Sequence, residues 1–347
     1  MEFKKRHYRK KILIFFLLAM NNFHWVKAGE SFKLYENKRP NSTLRYQTSD
    51  GYISYYQRNT GELMLSTKLE VHSLLNSGLN EHFFLSDSSF GEKIIISSSQ
   101  NFYTTSAFVP MNELYYSVIG EKTVGKIADL GFAPRLHLKD TWVSYYQHKF
   151  KIVKFHSFTN QELNFQVKLN KNTQYLHIPT TLMLDSNTVL FNDINNQRKF
   201  ALMKLERSTQ TIVPIYLTNL NEEMNLCQQE NTIFMMMTSS SGTKLYKMDF
   251  LGNNQFSNPK EIYSSNFPEH PQFICDSENA LGVIYFLKDI SMLGSKEYRP
   301  YKLDVIKKEL VEIPIKSNGL VSIDSMFRMG KSLFVSSGEK YYVLDKN

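Results

Sequence analysis

The feature of this chain that most restricts its fold is a repeat of about 46 residues. The segment ISYYQ at Ile53–Gln57 returns as VSYYQ at Val143–Gln147, a separation of 90 residues or two units of 45. Runs of the same type, rich in β-branched and aromatic residues, fill the rest of the series. Counted by these runs, seven units begin near Gly51, Lys93, Trp142, Thr188, Thr232, Gly282 and Ser332. The repeat therefore occupies most of the 347 residues.

Within each unit, the periodicity is that of β-strands. Thr188–Ile194, Phe200–Leu205 and Thr211–Tyr216 are short apolar runs that Asn, Ser and Gln residues separate, a pattern typical of an antiparallel sheet. After the N-terminal region, the single weak helical candidate is Lys68–Leu79, and the sequence favours a loop there at least as strongly as a helix. Four short strands in a repeat of 40–50 residues are typical of a propeller blade. The sequence therefore predicts an all-β fold, a seven-bladed β-propeller.

The two ends of the repeat predict how the ring closes. The last unit supplies three strand-like runs, at Val321–Phe327, Ser332–Ser337 and Lys340–Leu344, and then stops one strand short. Ser31–Tyr35 is a spare strand-like run before the first complete unit. We expect this N-terminal strand to become the outer strand of the last blade and to cover its edge. Two alternatives stay open. One is a β-sandwich, and the other is a six-bladed ring, in which one unit has been split wrongly near the irregular region Asn101–Lys126.

Residues 1–28 have the order of a secretory signal peptide. A basic flank precedes nine apolar residues at Ile12–Met20, and the small residue Ala28 suits the position before a cleavage site. The apolar run is shorter than the roughly 20 residues of a membrane-spanning helix. We therefore expect residues 29–347 to form one propeller domain, periplasmic or secreted, with no stable membrane span after cleavage. A retained signal-anchor is the alternative, since the basic flank is long and Lys27 lies in the cleavage region.

The charge balance argues against a nucleic-acid partner. The whole chain has 41 Lys and Arg against 33 Asp and Glu, which gives a formal net charge of +8. Seven of these basic residues and one acidic residue belong to residues 1–28, so the predicted mature chain keeps 34 against 32. A nearly neutral body has no strong positive field with which to attract phosphates.

One unit carries a pattern that resembles the TolB-like propellers of exported bacterial proteins. His270–Asp276 combines a His-Pro start with an Asp-containing turn, and the apolar strand Val283–Phe286 follows it. Weaker versions lie at Pro134–Asp140 and His177–Asp185. The resemblance implies an exported protein with a propeller fold.

Four residues near the predicted innermost strands are candidate metal ligands. His82, His177 and His270 lie 12 or 13 residues before the apolar strands of the second, fourth and sixth units, and Glu223 lies ten residues before that of the fifth. Side chains at the start of innermost strands converge on one mouth of a propeller channel. Three imidazoles and a carboxylate are suitable ligands for Zn²⁺, Mn²⁺ or a related divalent ion. Oligogalacturonate lyases are similar in outline, as propellers with a His-rich central metal site. The alternative is a polar channel lining without metal.

Three further sets of residues carry predictions about packing. Cys227 and Cys275, the two Cys of the chain, lie in neighbouring units, and a disulfide and two buried free thiols are equal alternatives. Met235–Met237 is predicted to alternate across a strand, with one Met exposed. Three His residues are predicted to be surface groups or satisfied core groups: His137, His148 and His156.

The sequence favours a binding function. Seven units use the whole predicted mature length, so little room remains for an attached hydrolase domain. We expect a monomeric, non-enzymatic protein without a cofactor that binds an envelope protein or a cell-envelope polymer. The alternative, which leaves the question of catalysis open, is a metal-assisted polysaccharide lyase or hydrolase with the His cluster at the channel mouth.

Overall fold

The computed structural model describes a set of ranges that runs from Glu30 to Lys346 with gaps. These ranges are 30–34, 43–47, 53–57, 62–66, 71–76, 82–85, 93–100, 111–118, 124–147, 150–170, 180–194, 200–217, 223–252, 255–266, 269, 273–275, 282–291, 297–317, 321–329, 332–337 and 340–346. Side chains are described for Glu30–Leu34 and for most of these ranges from Glu113 onward. Among the described residues, no helix has the length and apolar character needed to cross a membrane.

The strands, numbered in chain order, pair with their neighbours into antiparallel units of four strands. The first unit contains β2 (Thr43–Gln47), β3 (Ile53–Gln57), β4 (Glu62–Ser66) and β5 (Val71–Asn76). The second contains β6 (His82–Leu85), β7 (Lys93–Gln100), β8 (Met111–Val118) and the first part of β9 (Val124–His137). The third contains the last part of β9, β10 (Trp142–Gln147), β11 (Ile152–Ser157) and β12 (Phe165–Lys168), with a 3-10 turn at Gln161–Leu163.

The remaining units follow the same order. The fourth contains β13 (Thr181–Met183), β14 (Thr188–Ile194), β15 (Phe200–Glu206) and β16 (Thr211–Leu217). The fifth contains β17 (Glu223–Gln229), β18 (Thr232–Ser239), β19 (Gly242–Gly252) and β21 (Lys260–Ser265), with the short β20 (Gln255–Phe256) on the end of β19. The sixth contains β22 (Phe273–Cys275), β23 (Val283–Asp289), β24 (Tyr298–Asp304) and β25 (Glu309–Glu312).

The last unit joins the two ends of the described chain. It contains β27 (Ser325–Met329), β28 (Ser332–Ser337), β29 (Lys340–Lys346) and then β1 (Glu30–Leu34), which also pairs in parallel with β26 (Ile315–Lys316). With β9 counted in both of its units, the described strands form seven units. This is the number that the repeat predicts, and the number of blades in the whole ring stays a prediction.

The first strand of each unit, here called its inner strand, lies against the first strand of a neighbouring unit. Contacts join β2 to β6, and they run in series from β9 to β13, β17, β22 and β27. The other strands of each unit lie progressively farther from this inner row in the pairing order. This is the arrangement that the propeller prediction requires.

The core lies between neighbouring units, because the central strands are apolar on both faces. In β18, Ile233, Met235 and Met237 pack with the fourth unit, whereas Phe234 and Met236 pack with the sixth. Met235–Met237 are 0%, 1% and 4% exposed. The prediction of one exposed Met is therefore wrong, since a second strand of a unit has a neighbouring sheet on each side.

The region Lys68–Leu79 contains a strand. Val71–Asn76 forms β5, which pairs with β4 as the fourth strand of the first unit. The sequence predicted a helix or a loop for this segment, and both predictions are wrong. The pairing of β4 with β5 shifts register between Leu63 and Met64, and such an irregularity interrupts the strict alternation by which a strand is recognised.

The predicted closing strand is confirmed. β1 pairs antiparallel with β29 over its full length, from Glu30 opposite Lys346 to Leu34 opposite Tyr342. Phe32 is fully buried in the cluster between the sixth and last units. Outside this cluster, Nζ of Lys302 donates a hydrogen bond to Oε2 of Glu30 at 2.9 Å, and the two residues form an ion pair. Lys33 forms a second ion pair with Asp345.

We expect deletion of Gly29–Asn37 to destabilise the whole ring, because the last unit would lose its outer strand and expose the edge of β29. A milder version is Phe32→Ala, which should lower the free energy of unfolding by about 3–5 kcal/mol because it empties a fully buried position. Urea unfolding followed by the fluorescence of Trp142 measures both.

The control is Leu34→Ala, at a position of the same strand that is 45% exposed. This change should cost no more than about 0.5 kcal/mol. Equal stability of the deletion variant and the full mature chain would contradict the closure of the ring by β1.

Candidate functional site

The structure describes the positions of two of the four predicted metal ligands. His82 is the first residue of β6 and Glu223 is the first residue of β17, and both of these are inner strands. The carboxylate side chain of Glu223 is exposed. His177 and His270 lie outside the described residues, as does His148, and the side chain of His82 is also outside them. Within the described part of the chain, no group of three or more His, Cys, Asp or Glu could hold a metal ion, and the His site stays a prediction.

The end at which β6, β13, β17 and β22 begin is here called the inner mouth. Its described wall contains a row of hydrogen-bonded polar groups from three successive units. Arg135 on β9 donates from Nη2 to Oδ1 of Asn225 on β17, at 3.3 Å. Thr180, immediately before β13, directs its hydroxyl at the main-chain oxygen of Met224 at 2.9 Å and at Oδ1 of Asn225 at 3.2 Å. These contacts join the third, fourth and fifth units.

Asn192 continues this row into the protein. Its side-chain oxygen accepts a hydrogen bond from the main-chain N–H of Thr180 at 2.5 Å, and its own N–H donates to the oxygen of Thr180 at 3.2 Å. Asn192 is 1% exposed, and its Nδ2 has no hydrogen-bond partner among the described residues. A buried donor without a partner costs about 1–3 kcal/mol, so a polar group at this position needs a reason beyond packing.

A disulfide fixes the next part of the wall. Cys227 on β17 is bonded to Cys275 on β22, with their Cα atoms 5.9 Å apart. The bond joins the inner strands of the fifth and sixth units and lies beside the apolar cluster between them. Of the two alternatives in the sequence analysis, the disulfide is therefore the one observed.

His137 and Ser144 have the geometry of a base and a nucleophile, although they are buried. Nε2 of His137 lies 2.8 Å from Oγ of Ser144, which lies 2.6 Å from Oγ1 of Thr181. The three residues are 5%, 1% and 4% exposed. Burial, and to a smaller extent the positive charge of Arg135, lowers the pKa of His137 to about 3. A neutral, buried imidazole in a chain of hydroxyl groups is a satisfied core group, as predicted for His137.

Glu269 is a buried carboxylate at the same end of the sixth unit. It is 2% exposed and accepts hydrogen bonds from the N–H of Asp289 at 2.5 Å and from the hydroxyl of Tyr263 at 3.0 Å. Its own N–H donates to Oγ1 of Thr243 at 2.8 Å. Burial raises the pKa of Glu269, and the hydrogen bonds from Asp289 and Tyr263 oppose this shift. Its contacts join the fifth unit to the sixth, which indicates a structural role.

The sequence analysis missed Arg135, Thr180 and Asn225, although the repeat contains a signal for them. Thr180 and Asn225 are 45 residues apart, and Arg135 and Asn225 are 90 apart. The bonded Cys residues are 48 apart. Residues that occupy one position in successive units therefore meet at the inner strands. A search for pairs one or two repeat periods apart would have found them, whereas a search for metal ligands did not include Arg, Thr or Asn.

Comparisons with solved structures decide the fold. A streptogramin B lyase matches with a TM-score of 0.53 and 11% identity, over 92% of this chain and 98% of that one. The β-propeller domain of Cps50 (Swd1) from Myceliophteria thermophila matches with a TM-score of 0.53 and 8% identity, over 89% and 98%. The chain folds as a β-propeller. The units are its blades, and the inner strands line its central channel.

A TolB structure from Acinetobacter baumannii is also among the matched propellers, with a TM-score of 0.48 and 13% identity, over 87% of this chain and 78% of that one. The lyase and the Cps50 domain, which match with higher TM-scores, confirm the propeller fold that the resemblance of His270–Asp276 implies. No family model matches the chain, and no curated sequence matches it either.

We expect the burial of His137 to make the stability of the propeller depend on pH. Its pKa is about 3 in the folded protein and about 6.5 in an unfolded chain, so folding favours the neutral imidazole. The resulting stability is fully present above pH 6.5 and is lost as the pH falls toward 3. Between pH 7 and pH 5, the loss should reach about 2 kcal/mol. Urea unfolding at the two pH values measures it.

His137→Gln should remove this part of the pH dependence, because the amide does not titrate. The matched control is His156→Gln, at a half-buried His that contacts Asn164 at 3.2 Å, and it should leave most of the dependence in place. An unchanged difference between pH 7 and pH 5 in His137→Gln would show that another group causes it.

Proposed function

We propose that this protein is an exported, non-enzymatic binding protein whose propeller presents the inner mouth to an envelope protein or polymer. The observation that carries the proposal is the cross-linked inner wall. Arg135, Thr180 and Asn225 join three blades by hydrogen bonds, and a disulfide joins two. A wall held in this way loses little conformational freedom when a ligand binds, which favours affinity.

Two features support export. Residues 1–28 have the basic, apolar and small-residue order of a signal peptide. Disulfides form and persist in oxidising compartments and are rare in the reducing cytosol of most organisms, and Cys227 is bonded to Cys275. A periplasmic or secreted location accounts for both features.

The binding function can be tested by site-specific photo-crosslinking in the native cell. We expect a photoreactive phenylalanine analogue at Glu223, an exposed position of the inner mouth, to give a discrete adduct on irradiation. The matched control places the analogue at Ile306, which is 72% exposed in the turn between β24 and β25, at the opposite end of the blade. Protease treatment and glycan hydrolysis of the adduct distinguish a protein partner from a polymer.

Adducts of equal yield at Glu223 and Ile306 would indicate random collisions. No adduct at Glu223, from protein that is exported and folded, would contradict binding at the inner mouth.

A metal-assisted polysaccharide lyase or hydrolase is a second candidate. One observation favours it: His82 and Glu223 each stand first in an inner strand, as metal ligands at the mouth require. Such a site would use the imidazoles of His82, His177 and His270 together with the Glu223 carboxylate.

For this second candidate, we expect protein purified without chelators to contain stoichiometric divalent metal by elemental analysis. Replacing any one of the three His residues by Ala should lower the metal content. The content should also fall below about pH 6.5, since protonated imidazole cannot bind a metal. His156→Ala is the control, and metal-free wild-type protein, or equal content in all variants, would contradict the metal site.

A further inference from the structure

We propose that the rim of the fourth blade carries a second binding surface, which takes up a short apolar segment of a partner protein. The surface lies on β16, the outer strand of this blade, on the face that is turned toward the third blade. Its exposed residues are Ile212, Pro214 and Leu217, here called the outer ledge. The ledge is separate from the inner mouth, because β13, β14 and β15 lie between β16 and the channel.

The register of β15 and β16 places the three residues on one face of the sheet. The pairs are Ile212 with Leu205, Pro214 with Met203 and Leu217 with Ala201. Paired residues of neighbouring strands have their side chains on the same face, and Leu205 and Met203 pack in the cluster between the third and fourth blades. The ledge therefore continues this apolar interior outward. It reaches solvent there, because Ile212 is 44% exposed and Leu217 is 50% exposed.

The other blades show that the fold does not require apolar residues at this position. In the third, fifth and sixth blades, the outer strand also has exposed residues on the face toward the preceding blade. These residues are polar or charged, namely Gln166 and Lys168 on β12, Glu261 and Ser264 on β21, and Glu312 on β25. A contiguous set of exposed apolar residues in the fourth blade, in place of such polar groups, indicates a binding surface.

The third blade supplies an apolar wall beside the outer ledge. Phe165 of β12 packs with Met203 and Leu205 in the cluster between the two blades, and Leu163, in the turn before β12, is 40% exposed. Arg207 holds this turn against the fourth blade. Its Nη2 donates to the main-chain oxygen of Leu163 at 2.8 Å, and its guanidinium lies 4.3 Å from the ring centroid of Phe165. The wall is therefore fixed in place before a ligand binds.

Size and strand chemistry favour a short segment over a second copy of the chain or an added strand. A few partly exposed side chains form a patch far smaller than the roughly 800 Å² per partner that a stable protein interface buries. A partner strand could not pair continuously with β16, because Pro214 in its middle has no N–H. The residues of the ledge carry no charge, and a charged group bound against them would lose its hydration without a partner. The side chains that fit are apolar and few.

The test is an NMR titration of the mature protein with ¹³C-labelled methyl groups of Ile and Leu. The probe is a capped pentapeptide in which leucine and alanine alternate, so that an extended chain presents its leucines on one side. Its counterpart has serine in place of leucine. We expect the leucine peptide to shift the methyl resonances of Ile212 and Leu217 in a saturable way and the serine peptide to have no effect. Ile306, which is 72% exposed, is the control within the same spectrum and should not shift.

Two variants separate binding from folding. Ile212→Glu gives the ledge the kind of side chain that Glu261 supplies in the fifth blade. It should weaken binding of the leucine peptide at least about tenfold, followed at Leu217, because a carboxylate then lies among apolar contacts. The variant should unfold at the same urea concentration as the wild type, since the position is exposed. Ile212→Leu should keep the binding, and Ile306→Glu should leave it unchanged.

Equal shifts with the two peptides, or equal shifts at Ile212 and Ile306, would overturn the proposal, and so would undiminished binding in Ile212→Glu. Octyl glucoside, below its critical micelle concentration, is a further probe. Saturable shifts with this detergent at least as large as those with the leucine peptide would assign the ledge to alkyl chains and overturn a peptide ligand. The photo-adduct at Glu223 tests the inner mouth separately, so failure at either surface leaves the other proposal standing.

Discussion

The pairing of β1 with β29 is the interaction on which the rest of the structure depends. Each blade buries its apolar faces against its neighbours, so a ring that stays open leaves one blade with an uncovered edge and a core face without a partner. β1 supplies five residue pairs to β29 and places Phe32 in the cluster between the last two blades. The strand comes from the opposite end of the chain, so the ring closes only when both ends are present.

The cross-links of the inner mouth depend on this closure. Its hydrogen bonds and its disulfide connect successive blades, and they can form only where the inner strands are held side by side. The polar groups fall into two classes. His137, Ser144 and Glu269 are buried and satisfied within the wall, and they stabilise the contact between blades. Arg135 and Asn225 are half-buried and Glu223 is exposed, and these residues contribute charged and polar side chains to the inner strands.

The sequence predicted the architecture because the repeat acts at the level of whole strands. The predicted unit starts at Lys93, Trp142, Thr188 and Thr232 are the first residues of β7, β10, β14 and β18. These second strands of the blades each contain a run of apolar residues, so their period is visible. The closing strand was predictable for a related reason. The last unit was one strand short, and a spare strand preceded the first unit.

The details of the site were less predictable because they depend on pairs of residues in different blades. The sequence left the state of Cys227 and Cys275 open, since spacing alone does not show whether two thiols lie within bonding distance. The prediction that one Met of Met235–Met237 is exposed was wrong. The alternation of side chains along a strand shows that the strand has two faces, but it does not show whether a neighbouring sheet covers both of them. The meeting of Arg135 with Asn225 depends on the lateral contact of inner strands, which only the assembled ring supplies.

The central claim is that β1 is an integral strand of a closed ring. Native-state hydrogen exchange of the mature protein tests it most directly, because the protection of each amide reports the unfolding event that exposes it. We expect the amides of Glu30–Leu34 that pair with β29 to be protected to the same extent as those of β28 and to lose this protection together with them. Exchange of these amides within seconds, beside a β28 that stays protected, would contradict it.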